Sequence, residues 1–224
     1  MAWIPQRSQA VELLDALTEH PELSANLAEM AWLYRLSGGY RLGWRLLQPF
    51  LQNHTSLLDL GSGNGQIGRW LQAASQQQSQ SLQTLSLDLN HTIVASNQQA
   101  LVGAGQALPF ADQSIDIVFC AQMLHHCSSD HVIGLLREAQ RVARRGIVIV
   151  DLQRSWLGYW GARLVGLGPL TSLGKHDGPL SVLRAWRSSE IQSMLQAAGI
   201  QHYHIEQTSL YWGLAIEPTA QAKA

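Results

Sequence analysis

Two stretches of the sequence hold residues whose types and spacing can support chemistry, and the first is LLDLGSGNGQIGRWL at 57–71. It sets Gly61, Gly63, Gly65 and Gly68 into one turn between an apolar run and an amphipathic run. Glycines at such a place let the backbone approach a ligand closely, and the helix that follows opens with its amide donors exposed. Two ligands fit. Gly63 to Gly68 matches the dinucleotide fingerprint, in which a pyrophosphate sits on the helix start. Asp59 with Gly61, Gly63 and Gly65 matches an acid-plus-glycine turn instead. Asp88, ending LSLD, suits ribose hydroxyls in either case. Asp59 discriminates, because a carboxylate at the strand end repels phosphate but can organise an amino-acid tail through amides, water or its ammonium group. Among common adenosine cofactors, S-adenosylmethionine has such a tail and no phosphate. An Asp that only caps the turn is the structural alternative. The second stretch, QMLHHC, carries His125 and His126, and Asp151 ends VIVD. An Asp that orients a His and stabilises its protonated form makes a general base.

These residues need elements to position them. Residues 9–52 read as helices: Leu23, Leu27, Met30 and Tyr34 recur at helical spacing after Pro21, and SGG at 37–39 interrupts the pattern. From residue 55 short apolar runs alternate with amphipathic segments. SLLDL, TLSLDL, IDIVFCA and GIVIVDL read as strands; QIGRWLQAA, NHTIVASNQQAL and SDHVIGLLREAQRVA read as helices. This alternation predicts a parallel sheet with helices on both faces. SQQQSQSLQ reads as a solvated connector. Ser189 and Gln192 suit a capping box for the last helix, Gly199 suits its end, and QHYHIEQTSLYWGLAIE can supply two closing strands.

The 224 residues suit one α/β domain. We divide it into a helical cap at 1–52 belonging to the same domain, a core at 53–217 and a tail at 218–224. With 15 Lys and Arg against 16 Asp and Glu, the balance disfavours nucleic acid as a partner. Cys120 and Cys127 show no metal spacing, no secretory start is visible and no apolar run approaches ~20 residues, so the expected location is cytoplasmic with no membrane span. No metal is expected: His202 and His204 share a strand face without a third ligand. His20, His54 and His91 read as surface residues.

LLDLGSGNGQIG, then LDL, then ALPFADQSIDIVFCAQMLHH is similar to the class I S-adenosylmethionine-dependent methyltransferases, and within them to the quinone-biosynthesis and small-molecule group. The likeness spans residues 55–152. It implies a Rossmann-like fold with a seven-stranded, mostly parallel sheet in the order 3-2-1-4-5-7-6, the seventh strand antiparallel. It implies that Asp59, Gly61, Gly63, Asn64 and Gly65 lie at the methionine end of the cofactor and that Asp88 and Leu89 meet the ribose. Gly105, Gln106 and Gln122 complete the implied cofactor set. Ala104 departs from the family, which often has an acidic residue there for the adenine amino group; the Gly105 amide and the Gln106 side chain are the available substitutes. In the implied strand order His125 or His126 and Asp151 converge at one sheet edge. Similar positions act as a base dyad in some natural-product O-methyltransferases, which favours His125.

In the stretch after the fifth strand, 153–187, the only charge between Trp156 and Leu173 is Arg163, and two Trp and a Tyr are present. A crossover helix accounts for much of it, yet such insertions commonly close over the acceptor. Trp156, Tyr159 and Trp160 are therefore candidate substrate contacts within an acceptor lid. KHDGPLSVLRAW and LYRLSGGYRLGWRLLQPFL resemble segments of small bacterial methyltransferases associated with aromatic polyketide pathways. His176 and Asp177, read as a Gly-Pro turn, are further candidates for catalysis and substrate binding. The leading expectation is O-methylation of a small apolar phenol. C-methylation of a quinol ring and a non-catalytic cofactor-binding protein stand as rivals. Methylation of RNA or protein fits poorly, because AQMLHH replaces the Asn/Asp-Pro-Pro-aromatic string common in amino-group methyltransferases.

Overall fold

Four long apolar runs become β1 (His54–Leu60), β2 (Ser81–Asp88), β4 (Ile115–Ala121) and β5 (Ala143–Leu152) in the computed structural model, which describes Ile4 and residues 6–16, 20–90 and 100–217. The three-residue β3 (Ala100–Val102) and the closing β6 (Tyr203–Gln207) and β7 (Tyr211–Ile216) complete a seven-stranded sheet of order β3-β2-β1-β4-β5-β7-β6. β7 pairs antiparallel with both neighbours, and every other pairing is parallel. The order is the one the resemblance implies. β4 is buried without a break from Asp116 to Ala121, the pattern of a strand covered on both faces. Leu57 and Leu58 point to opposite faces. Leu57 joins Leu42, Leu46 and Phe119 beneath the N-terminal helices. Leu58 joins Val118, Leu135 and Leu195 on the other side.

Around the sheet lie α1 (Leu13–Ala16), α2 (Leu23–Leu36), α3 (Gly39–Leu47), α4 (Gln66–Gln76), α5 (Ser129–Val142), α6 (Trp156–Val165), α7 (Ser172–Arg184) and α8 (Ser188–Ala197). Local chemistry fixes their starts. Ser128 Oγ accepts the His131 amide, Ser155 Oγ the Gly158 amide and Thr171 Oγ1 the Gly174 amide, so α5, α6 and α7 each begin on a hydroxyl cap.

Several local expectations are corrected. α8 begins at Ser188, and it is Glu190, not Gln192, that reaches back to the Arg187 amide at 2.8 Å. α4 runs to Gln76 and β2 starts at Ser81, so most of the expected polar connector is helix or strand. β3 was not anticipated, because three residues are too few to show a period. His176 and Asp177 lie inside α7 rather than on a turn, although Pro179 is in the same helix. The expected helix at 90–101 falls mostly outside the described residues, as do His91 and the tail. No helix among the described residues is long and apolar enough to cross a membrane.

Arg154 follows β5 and ties three segments together while fully buried. Its Nε donates to Ile4 O (3.1 Å), Nη1 to Ala185 O (2.6 Å) and Nη2 to Glu190 (2.7 Å). Replacing it with Ala takes the buried cationic partner from Glu190 and the donor from Ala185 O, and we expect Arg154→Ala to lose about 3 kcal/mol of unfolding free energy in urea titrations.

Candidate active site

At the carboxyl end of β1 the chain turns through Gly61, Gly63 and Gly65, with φ of +66°, +54° and +73°. The left-handed region favours glycine at each, and a Cβ on Gly61 would also lie 2.5 Å from Met123 Cγ. The turn is held from β2. Gly61 N donates to Leu87 O at 2.8 Å, and Gly63 N donates to Asp88 Oδ2 at 2.9 Å. Asn90 N donates to Asp88 Oδ1 at 2.9 Å, so the carboxylate is fixed with a lone pair on each oxygen left for hydroxyl donors.

Above this turn is a cavity of about 500 Å³. Gly61, Gly63, Asn64, Asp88 and Leu89 line one part, and Ala104, Gly105, Gln106 and Gln122 line another. Ser62 Oγ and Gln122 Nε2 are buried there with no hydrogen-bond partner among the described residues. Orphaned buried polar atoms are uncommon unless a ligand or water satisfies them. Together with the cradled glycines and the poised Asp88, they fit the polar tail and ribose of S-adenosylmethionine. Ala104 offers no side chain to the adenine, while the neighbouring Gly105 and Gln106 are both on the wall.

Two of the expected cofactor residues stand behind the wall. Gly65 is the left-handed residue that starts α4. Asp59 is 2% exposed and faces α4, where the Gly68 amide donates to it and a Cβ on Gly68 would sit 3.2 Å from its Oδ2. Burial and, after it, the nearby charge of Asp88 push the Asp59 carboxyl up to about 7. Any influence on the ligand therefore runs through the turn and through charge, not through contact.

The acceptor side departs further from expectation. Trp156, Tyr159 and Trp160 do not line the cavity, and Trp160 is 62% exposed. α6 packs mainly on α7, and none of its residues borders the cavity. The cavity is covered instead by Leu14, Leu27, Met30, Ala31 and Tyr34 of α1 and α2. Nor does Asp177 reach the cavity: its two carboxylate oxygens accept the Leu13 and Leu14 amides at 2.9 and 3.0 Å, capping α1. His176 is bound to Asp177 at 2.7 Å, with half of its side chain in solvent. Sequence periodicity placed Leu27, Met30 and Tyr34 on one helical stripe, but a stripe does not distinguish a core face from a cavity face.

After β4 the chain passes through Gln122, with φ +57°, into a 3-10 turn at Leu124–His126. His125 Nδ1 lies 2.6 Å from Asp151 Oδ1, and the His125 amide donates to Asp151 Oδ2 at 3.0 Å. Both side chains are 1% exposed and stand behind the cavity wall. Burial pushes the Asp151 carboxyl up, but the His125 charge and hydrogen bond more than reverse this and hold it below the usual range. His126 is on the wall, its ring 4.1 Å from that of His125 between centroids and tilted 38° to it. Its Nδ1 is 2.7 Å from Asp15 Oδ1 and 3.8 Å from Glu12 Oε2. Sequence reading missed Glu12 and Asp15, which precede the strong helical pattern and carry no motif.

Residues 58–150 match the family model described as "Methyltransferase domain". Over these residues the chain carries a methyltransferase domain, and the sheet around it has the class I methyltransferase fold. Its fold is similar to a SAM-dependent methyltransferase from Aquifex aeolicus, with 17% identity over 78% of this chain and 88% of that one and a TM-score of 0.56. A possible histamine N-methyltransferase from Thermotoga maritima is also similar, with 11% identity over 88% and 99% of the two chains and a TM-score of 0.60. A putative methyltransferase from an antibiotic biosynthesis pathway of Anabaena variabilis has 20% identity over 74% and 63%, with a TM-score of 0.54. No curated protein sequence matches the chain.

Two measurements probe this methyltransferase site. S-adenosylhomocysteine at ~100 times its dissociation constant should add ~2.7 kcal/mol to stability, and NAD should add nothing; thermal shifts in both ligands check it. Asp59 gives a pH signature. Its native carboxyl binds a proton up to about 7, whereas the unfolded chain releases it near the ordinary value, so stability falls as pH rises between those two points and levels above. Asp59→Asn should remove this fall, and the gap between variant and parent should approach ~4 kcal/mol above pH 7 in urea titrations.

Proposed function

We propose that this methyltransferase O-methylates a phenolic hydroxyl of a small apolar or aromatic acceptor, with His126 taking the hydroxyl proton. The observation that carries the reading is that His126 lies on the cavity wall, beneath the apolar cover of α1 and α2, with carboxylates beside its Nδ1. His131, on the first turn of α5, also borders the cavity but has no carboxylate partner at ion-pair distance among the described residues. Bound S-adenosylmethionine supplies the methyl group as an electrophile. The chain supplies the rest. Asp88 and the glycine turn fix one end of the cavity, and Leu14, Leu27, Met30 and Ala31 exclude water at the other. Alignment of this kind can contribute ~7–11 kcal/mol. The acceptor proton passes to a ring nitrogen of His126 while the oxygen keeps the electron pair. Asp151 stabilises the positive charge that results, as the His126 charge in turn helps hold Asp151 ionised. His125, preferred on sequence, is bonded to Asp151 but shielded from the acceptor; we assign it to holding the turn and the second charge in place.

A product screen with isotope-labelled cofactor against phenols, quinols and alkylresorcinols tests the acceptor class by mass spectrometry. Methyl on oxygen is the expected outcome, and methyl on a ring carbon would replace the reading with C-methylation. His126→Ala should lower turnover ~10²–10⁴-fold with S-adenosylhomocysteine affinity retained. A phenol already ionised at the assay pH should recover most of that loss. Near-parental turnover of His126→Ala on an un-ionised phenol would remove His126 from the role.

A further inference from the structure

Residues 7–16 form a strap that crosses the turn at 125–127, and its attachment is unusually specific. Arg7 Nη2 donates to His125 O at 2.7 Å and to Cys127 O at 2.9 Å, and its guanidinium stacks 3.9 Å from the Trp186 ring. Arg184, ending α7, bridges strap and turn. Its Nη1 donates to Ala10 O (3.0 Å) and Asp15 Oδ2 (2.9 Å), and its Nη2 donates to His126 O (3.0 Å). Asp177 fixes the strap's far end by capping α1. This anchorage delivers two carboxylates to one imidazole.

Charge determines what that delivery does. Asp15 Oδ1 is 2.7 Å from His126 Nδ1, and the two are coupled by proximity and the carboxylate's charge rather than by a well-aligned hydrogen bond. Burial pushes Asp15 up, and His126 and Arg184 together more than reverse this and hold it below the usual carboxylate range. Glu12 is 1% exposed, with Oε2 3.8 Å from the same nitrogen. The other charged or titratable groups around the ring are His125 and Asp151 behind it, Cys127 beside it, and Arg7 and Arg184 on the backbone carbonyls. Of all these, only Asp15 and Glu12 are carboxylates beside Nδ1.

We propose that Glu12 and Asp15 are positioning residues for the base: they hold the proton of neutral His126 on Nδ1 and so leave Nε2 as the basic atom for the acceptor. The proposal rests on the reading of His126 as proton acceptor and adds what selects its tautomer. A proton on Nδ1 lies between two negative groups, whereas the alternative tautomer turns a lone pair toward them. The logic is that of a carboxylate that orients a catalytic imidazole, with the carboxylates supplied by an N-terminal strap.

The test is independent of any acceptor. Protein labelled with nitrogen-15 in histidine, saturated with S-adenosylhomocysteine, is examined by long-range proton–nitrogen NMR at alkaline pH, with His126 assigned from His126→Gln. Expected is the Nδ1–H pattern for His126 in the parent and a shift toward the Nε2–H pattern in Glu12→Gln/Asp15→Asn. Asp15→Asn alone should move part of the way, and it serves if the double variant fails to bind S-adenosylhomocysteine. An Nε2–H pattern in the parent overturns the proposal, and so does an unchanged pattern in a variant that still binds S-adenosylhomocysteine. Because Glu12 and ring nitrogens of His125 and His126 lie within 4.8 Å of one another, zinc chloride forms a further arm. Stoichiometric zinc binding that depends on Glu12 would overturn the proposal by making these residues ligands. If the tautomer responds as expected but His126→Ala keeps its turnover, the pairing stands and the base assignment falls.

Discussion

The turn at 122–127 is the constraint on which the candidate site depends. A chain leaving a buried parallel strand carries backbone carbonyls that no ladder can satisfy, and each left unpaired would cost about 1–3 kcal/mol. Here the Trp186 indole donates to Leu124 O, Arg7 and Arg184 reach His125 O, Arg184 reaches His126 O and Arg7 reaches Cys127 O. Asp151 secures the turn from β5 by accepting the His125 amide. Segments distant in sequence thus meet at one short turn, and their bonds leave the two imidazoles little freedom.

The glycine turn solves a different problem with the same economy. Asp88 organises the β1 turn by accepting the Gly63 amide while it faces the cavity, so one carboxylate both shapes the turn and forms part of the cavity wall. Asp59 lies behind that turn in the space between β1 and α4. Its carboxyl titrates near neutrality because burial and the Asp88 charge act in the same direction. The cost of keeping an acid there falls on stability, while its effect on the ligand is indirect.

Much of this was legible in the sequence, for reasons specific to each part. The parallel strands announced themselves as apolar runs, and the glycines needed φ values that few other residues adopt. Eight of the expected cofactor residues line the cavity: Gly61, Gly63, Asn64, Asp88, Leu89, Gly105, Gln106 and Gln122. The acceptor side was misread because composition suggests apolar function without saying which way a helix faces. Trp156 and Trp160 are aromatic and unpaired by charge, yet α6 turns them outward. Glu12 and Asp15 were invisible for the opposite reason. Their meaning comes from tertiary contacts across more than a hundred residues, made by Arg184 and the histidine turn.

Charge balance around the histidines links the strap to the proton it must accommodate. Arg7 and Arg184 bring two positive charges, which the depressed carboxyls of Asp15 and Asp151 offset. Glu12 is left as the adjustable member. Burial pushes its carboxyl up, while positive charge on His126, and then on Arg184, pulls it down. With His126 protonated, the same carboxyl ionises more readily and the added charge is met next to where it appears. On the proposal that His126 is the base, a proton taken there meets the Glu12 and Asp15 carboxylates beside Nδ1, while the arginines remain committed to the carbonyls of the turn.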